Sequence, residues 1–218
     1  MRLLETACAR AGALLLAALM QAGCAGLAPS AAPASATPSV PVATRAYHDN
    51  IDISGRLSLR YEQNGSPQAL DGNFIWAQAG DQTRITLLTP FGQILATIDV
   101  APKLSTLTQA DRPPRSEADV DALVATTLGW PLPVAGLRDW LQGFAVSDQG
   151  TRYVADPNAA GDAAYVKTAN GWLIHYPVWE PPAPGETAGH PKRIDLQRST
   201  SQAGNVALRL VIDQWQPH

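Results

Sequence analysis

Strict two-residue alternation is the feature that most constrains this chain. Leu57, Leu59 and Tyr61 alternate with Arg56, Ser58 and Arg60. Phe74 and Trp76 flank Ile75, and Ile85 and Leu87 flank Thr86. Ile94, Ala96, Ile98 and Val100 alternate with Leu95, Thr97 and Asp99. Late in the chain come Trp172, Ile174 and Tyr176, then Ile194 and Leu196, then Val206, Leu208, Leu210 and Ile212. Side chains on a strand point to opposite faces with period two, so this pattern predicts half-buried antiparallel strands with one apolar face. Turn signals separate the runs at Asn64-Gly65, Ala79-Gly80-Asp81, Pro90 to Gly92, Asn170-Gly171 and Gly204-Asn205.

Two stretches carry a helical period instead. Ser116 is placed to cap a helix with Glu117, Asp119 and Asp121 in its first turns, where negative charge suits the helix dipole. Val120, Leu123, Val124 and Leu128 make its apolar stripe, and Gly129 ends it. Pro133 can open a second helix with Leu137, Trp140 and Leu141 on one face and Gly143 after it. Strands, two helices, then strands again predict an α+β, mainly β fold: an antiparallel sheet with a helical cover. Periodicity alone does not separate a barrel from a sandwich, nor a buried face filled by side chains from one that holds a guest.

Composition excludes several functions. The chain has 16 Lys+Arg against 19 Asp+Glu, a net charge of -3, which argues against nucleic acid as a partner. Cys8 and Cys24 are its two cysteines, so the rest of the chain has no disulfide framework, thiolate metal site or cysteine nucleophile. His48, His175, His190 and His218 lack metal-ligand spacing, and there is no nucleophile elbow, P-loop or zincin helix. No metal, no cofactor and no catalytic residue are expected.

The first residues read as an address. Arg2 and Arg10 surround an apolar run, Ala11 to Met20, that is too short to span a bilayer and suits a secretory signal. Ala22-Gly23-Cys24 resembles the end of a bacterial lipoprotein signal, departing from it in having Gln21 where an aliphatic residue is usual. The resemblance implies a signal peptide over 1–23, a lipid-modified Cys24, and, with Ala25 rather than Asp next, the outer membrane. Residues 24–45 are dominated by Ala, Pro, Ser and Thr, and no charge precedes Arg45, the composition of a disordered tether. All six Trp, five Tyr and three Phe lie between Tyr47 and Trp215, so the folded domain is expected over 46–218.

Leu87-Leu88-Thr89-Pro90-Phe91-Gly92-Gln93 puts Phe91 at a turn tip. Its ring either folds back into the core or stands exposed to enter a lipid surface. The string Gly55-Arg56-Leu57, Phe74-x-Trp76, Leu88-Thr89-Pro90-Phe91-Gly92, then Leu128-Gly129-Trp130-Pro131-Leu132-Pro133 with Leu137-Arg138-x-Trp140-Leu141-x-Gly143, and Leu210-x-Ile212-Asp213-x-Trp215, resembles the LolB family in the same order. That resemblance implies an incomplete, curved antiparallel β-barrel with a helical lid over an apolar cavity. It also implies a monomeric outer-membrane receptor on the periplasmic face, taking acylated lipoproteins from a LolA-type periplasmic carrier into outer-membrane lipid. The expected membrane-insertion loop is Pro90, Phe91 and Gly92, with Phe91 where the family usually has Leu. Expected cavity residues are Leu57, Leu59, Phe74, Trp76, Ile85, Leu87, Ile94, Ile98, Trp172 and Ile174. Expected lid residues are Leu123, Leu128, Trp130, Leu137, Trp140 and Leu141. The alternatives are an anchored lipid carrier and a structural or assembly lipoprotein with a filled barrel.

Overall fold

The structure, a computed structural model, describes residues 45–200 and 203–218. Cys24, the signal segment and the tether up to Thr44 lie outside the described residues. Pro41–His218 forms one compact unit by itself with a complete hydrophobic core, so it can be made and studied without the segment before it.

Six strands open the fold as a meander: β1 (Asn50–Gln63), β2 (Ser66–Ala79), β3 (Gln82–Leu88), β4 (Ile94–Ala101), β5 (Leu104–Gln109) and β6 (Arg112–Glu117). Helices α1 (Val120–Leu128) and α2 (Val134–Trp140) follow. A small ribbon of β7 (Phe144–Val146) and β8 (Arg152–Val154) comes next. The chain returns through β9 (Tyr165–Lys167), β10 (Leu173–Glu180), β11 (His190–Thr200) and β12 (Gly204–Pro217). Among the described residues ten strands make one sheet in the order β6-β5-β4-β3-β2-β1-β12-β11-β10-β9. Every pairing in it is antiparallel. The sheet is curved and does not close, because β6 and β9 remain edges.

Alternation becomes an inside and an outside. Ile51, Ile53, Leu57, Leu59, Phe74, Trp76, Ile85, Leu87, Ile98, Ile174, Leu196, Leu208 and Leu210 are buried on one face. Opposite them the outer face carries ion pairs, Arg56–Asp213, Arg60–Asp71, Arg84–Asp99, and Arg193 and Arg209 on Asp195. The β1–β12 register slips between Ser54 and Gly55, a bulge of the kind that bends a sheet. A Cβ at Gly55 would run into the Val211 carbonyl, which gives the glycine of the Gly55-Arg56-Leu57 string a physical reason.

One expectation needs correction here. Ser116 does not cap α1. It lies in β6 opposite Thr106 and shares a 2.9 Å hydroxyl contact with it. The cap is Asp119, whose carboxylate accepts from the N–H groups of Asp121 (2.9 Å) and Ala122 (3.1 Å). The sequence Arg112-Pro113-Pro114-Arg115 hid the strand, since it has no alternation and two prolines. An edge strand tolerates them because one of its sides needs no donors. The helix ends as expected at Gly129, in left-handed conformation at φ 80°.

Candidate lipid-handling site

The two ends of the sheet can be told apart by register. At the entry end β1 begins, and the turns Gly80-Asp81 and Pro102-Lys103 connect β2–β3 and β4–β5. At the far end lie the Asn64-Gly65 turn, the loop from Thr89 to Gln93, the Ala110-Asp111 turn and the β11–β12 connection.

The inner face is covered by the helical segment. Leu132, Leu137 and Leu141 meet Leu57, Phe74, Trp76, Ile85, Leu87 and Leu210 around a residual space of about 10 Å³, room for at most one water. The interior is therefore filled by side chains in this state. Of the lid residues expected from sequence, Leu123, Trp130, Leu137, Trp140 and Leu141 are buried and Leu128 is partly buried. Trp140 meets Trp172 edge-on, with ring centroids 6.3 Å apart. Tyr176 donates to the Trp140 carbonyl at 3.1 Å, and burial pushes its phenol well above the usual tyrosine range.

Of the ten cavity candidates, Leu57, Leu59, Phe74, Trp76, Ile85, Leu87, Ile98, Trp172 and Ile174 are buried. Ile94 is the correction: it is 62% exposed. Extrapolating the alternation of β4 turns it inward, but the β3–β4 register slips at Leu87/Leu88, pairing Leu88 with Ile94. That slip releases Ile94 at the strand end, beyond the covered part of the sheet.

Phe91 does not fold back into the core. It is 94% exposed, on a tight loop in which Thr89 donates its N–H to the Gln93 carbonyl (2.8 Å) and Gly92 donates to Thr89 (2.9 Å). Gly92 sits at φ 83°, the left-handed conformation that glycine adopts freely. With Ile94 and the 38% exposed Leu95, Phe91 forms an apolar tip at the far end. Burying such a tip in lipid is favourable at about 25 cal/mol per Å² of apolar surface.

A vestibule of about 520 Å³ opens at the same end, between the β1–β2 and β11–β12 hairpins and the α1–α2 connection. Trp130, Leu132 and Trp172 give it an apolar wall, and Glu62, Asp121 and Arg198 a polar one. Arg198 lies over the Trp172 ring at 5.8 Å. Asp121 accepts from the Ala135 N–H at 3.0 Å, joining α1 to the start of α2, and burial raises its carboxyl above the usual range.

The sequence reading missed the polar clamp at the entry end. Trp76 donates to the buried Gln78 (3.3 Å), whose amide donates to the carbonyls of His48 (3.2 Å) and Asp49 (3.4 Å). Gln142 accepts from the His48 N–H (2.8 Å) and donates back to its carbonyl (3.0 Å). Gln78 shares the parity of Phe74 and Trp76, so period two already placed it inside. Gln142, after a helix, carried no such signal. Among the described residues no group of three or more His, Cys, Asp or Glu side chains could hold a metal.

An open, curved antiparallel sheet whose apolar face is covered by a helical segment defines the class of protein: a half-barrel built around an apolar interior. The family model described as Outer membrane lipoprotein LolB matches residues 49–215, and the chain belongs to that family. The outer-membrane lipoprotein LolB of Cupriavidus taiwanensis is 38% identical over 91% of this chain and 92% of its own. That of Ralstonia nicotianae is 33% identical over 93% and 96%. Among solved structures, a LolA superfamily protein from Nitrosomonas europaea aligns over 80% of this chain and 88% of its own, with a TM-score of 0.42 and 9% identity; a likeness this distant carries no argument. Membership makes the chain a lipid-anchored protein of the outer membrane, serving the localisation of lipoproteins there.

Proposed function

We propose that this chain receives acylated lipoproteins from a LolA-type periplasmic carrier and inserts them into the inner leaflet of the outer membrane. The observation that carries this reading is the pairing, at one end of the sheet, of an exposed apolar tip (Phe91, Ile94, Leu95) with a vestibule that shares Leu132 with the apolar interior. Acyl chains pass from one apolar site to the next, and each step is a difference in binding free energy needing no covalent chemistry. Because the interior is closed to about 10 Å³, entering chains displace the helical cover, with Leu132, Leu137 and Leu141 giving way to them. Phe91 then meets the membrane, and Cys24, through its acyl groups, holds the protein there.

The test mixes the Pro41–His218 unit with a carrier loaded with labelled lipoprotein. Label is expected to move to the unit, and its failure to move sinks the receptor reading. Phe91→Glu should leave receipt intact and impair delivery into liposomes. Mass spectrometry of the mature N-terminus tests Cys24, where a free thiol removes the anchor. A second reading, a structural lipoprotein with a permanently filled barrel, draws on that same closed interior. It expects no label in the unit under any condition.

A further inference from the structure

Resting on the membrane role of the Phe91 loop, we propose that Arg112 and Arg115 form a second, electrostatic part of the membrane-contact surface, binding the phosphates of anionic phospholipids beside the apolar tip. Register places Arg112 level with the tip and Arg115 further back along the same exposed edge. In the β4–β5 pair Thr97 faces Thr108, and continuing that register three residues brings Ile94 level with Asp111. Arg112 follows directly, opposite Gln109, while Arg115 lies opposite Leu107, which pairs with Ile98, about 13 Å back along the sheet from Ile94. With strands about 4.8 Å apart, β6 stands roughly 10 Å from the strand that carries Ile94 and Leu95.

Among the arginines, the partners of the side chains single these two out. Arg56, Arg60, Arg84, Arg193 and Arg209 each hold an aspartate. Arg138 donates to the Gly80 carbonyl, and Arg152 and Arg198 lie over the rings of Phe144 and Trp172. Among the described residues, Arg112 and Arg115 have no such partner, and all of β6 is exposed. An unpaired guanidinium offers a planar fork of donors that fits phosphate oxygens. Pro113 and Pro114 lie between them. Proline donates no N–H, so this edge is poorly suited to recruiting another strand and its arginines stay exposed. Asp111 is the one acid in the adjoining turn, and it opposes the attraction. Apolar insertion and phosphate binding side by side would orient the loop on a lipid surface and hold it there during delivery.

The experiment measures partitioning of the Pro41–His218 unit onto vesicles of phosphatidylcholine alone and of phosphatidylcholine mixed with phosphatidylglycerol. Stronger partitioning onto the mixed vesicles, fading with added salt, is expected. A basic residue near an anionic surface is worth about five-fold, so R112Q/R115Q should lose about thirty-fold on mixed vesicles. Its binding to phosphatidylcholine should be unchanged. Asp111→Asn should shift the mixed-vesicle value the other way. Both positions are exposed, and an unchanged urea midpoint will show that the variants are folded. Equal partitioning of wild type and R112Q/R115Q onto mixed vesicles overturns this proposal alone. Phe91→Glu bound to phosphatidylcholine as well as wild type overturns the loop reading and this proposal together.

Discussion

The two ends of the sheet are built on opposite plans. At the entry end backbone polar groups are locked by buried amides: Gln78 and Gln142 tie residues 48 and 49 to β2 and to the chain after α2. Arg45 adds bonds to the carbonyls of Gly189 (3.2 Å) and Ala155 (2.9 Å) and lies 4.3 Å over the Trp179 ring. At the far end the β1–β2 and β11–β12 hairpins border a vestibule, and the Phe91 ring is left 94% exposed. One end is spent on stability and the other on contact with something else. A molecule that must open for a guest without unfolding benefits from that division, since local opening draws on regions with few buried contacts.

The largest expected effect tests the locked end. Trp76→Ala removes a buried indole, leaves the Gln78 carbonyl oxygen without its donor, and opens a cavity where Leu137 and Leu141 pack. A loss of about 3–5 kcal/mol is expected from the urea midpoint. A loss below about 1 kcal/mol would mean that the interior is already loose, and the contrast between the ends would collapse. Next comes Gln142→Ala, which strands the His48 N–H in a partly buried site and leaves the His48 carbonyl to Gln78 alone. About 1–3 kcal/mol should be lost, with amide exchange quickening at residues 48–50 before it does in the far-end hairpins.

Much of the sheet, though not the clamp at its entry end, was legible in the sequence, for a reason that also explains what was not. Alternation at Leu57–Tyr61, Phe74–Trp76 and Val206–Ile212 reports which face is buried, because period two is set by backbone geometry. It therefore gave the antiparallel sheet and its inner face, the helical period gave the two helices, and the curvature came from the resemblance to the LolB family. It did not give β6, whose edge position tolerates prolines, or the exposure of Ile94, which depends on a one-residue slip against Leu88. Such slips come from pairing between strands and leave no trace in one strand's own pattern. The family string at 128–143 pointed to the cover, but Leu132 became an interior residue only once the helices were placed. Whether the interior holds space was never written in periodicity.

A smaller effect separates both ends from the outer face. Burial raises the Asp195 carboxyl, but bonds from Arg193 (2.6 Å) and Arg209 (3.0 Å) outweigh it and hold the group below the usual aspartate range. A carboxyl lowered by folding contributes stability above its unfolded pKa and loses it as pH falls through the folded one. Asp195→Asn should therefore cost about 1 kcal/mol at neutral pH, and the difference from wild type should vanish in acid below the ordinary aspartate range. A difference that persists there would assign the effect to packing rather than charge.

The smallest effect on stability belongs to Phe91, and it sharpens the comparison most. An aromatic ring 94% exposed buries almost nothing on folding, so Phe91→Ser should leave the urea midpoint within about ±0.5 kcal/mol of wild type. Gly92 keeps the loop's backbone conformation whatever side chain precedes it, and the Thr89–Gln93 bond involves neither. If Phe91 served the fold, its loss would lower the midpoint and leave delivery into liposomes untouched. If it serves the membrane, stability stays and delivery falls. The two measurements on one variant thus decide whether the far end is an unfinished part of the core or a surface kept apolar for lipid.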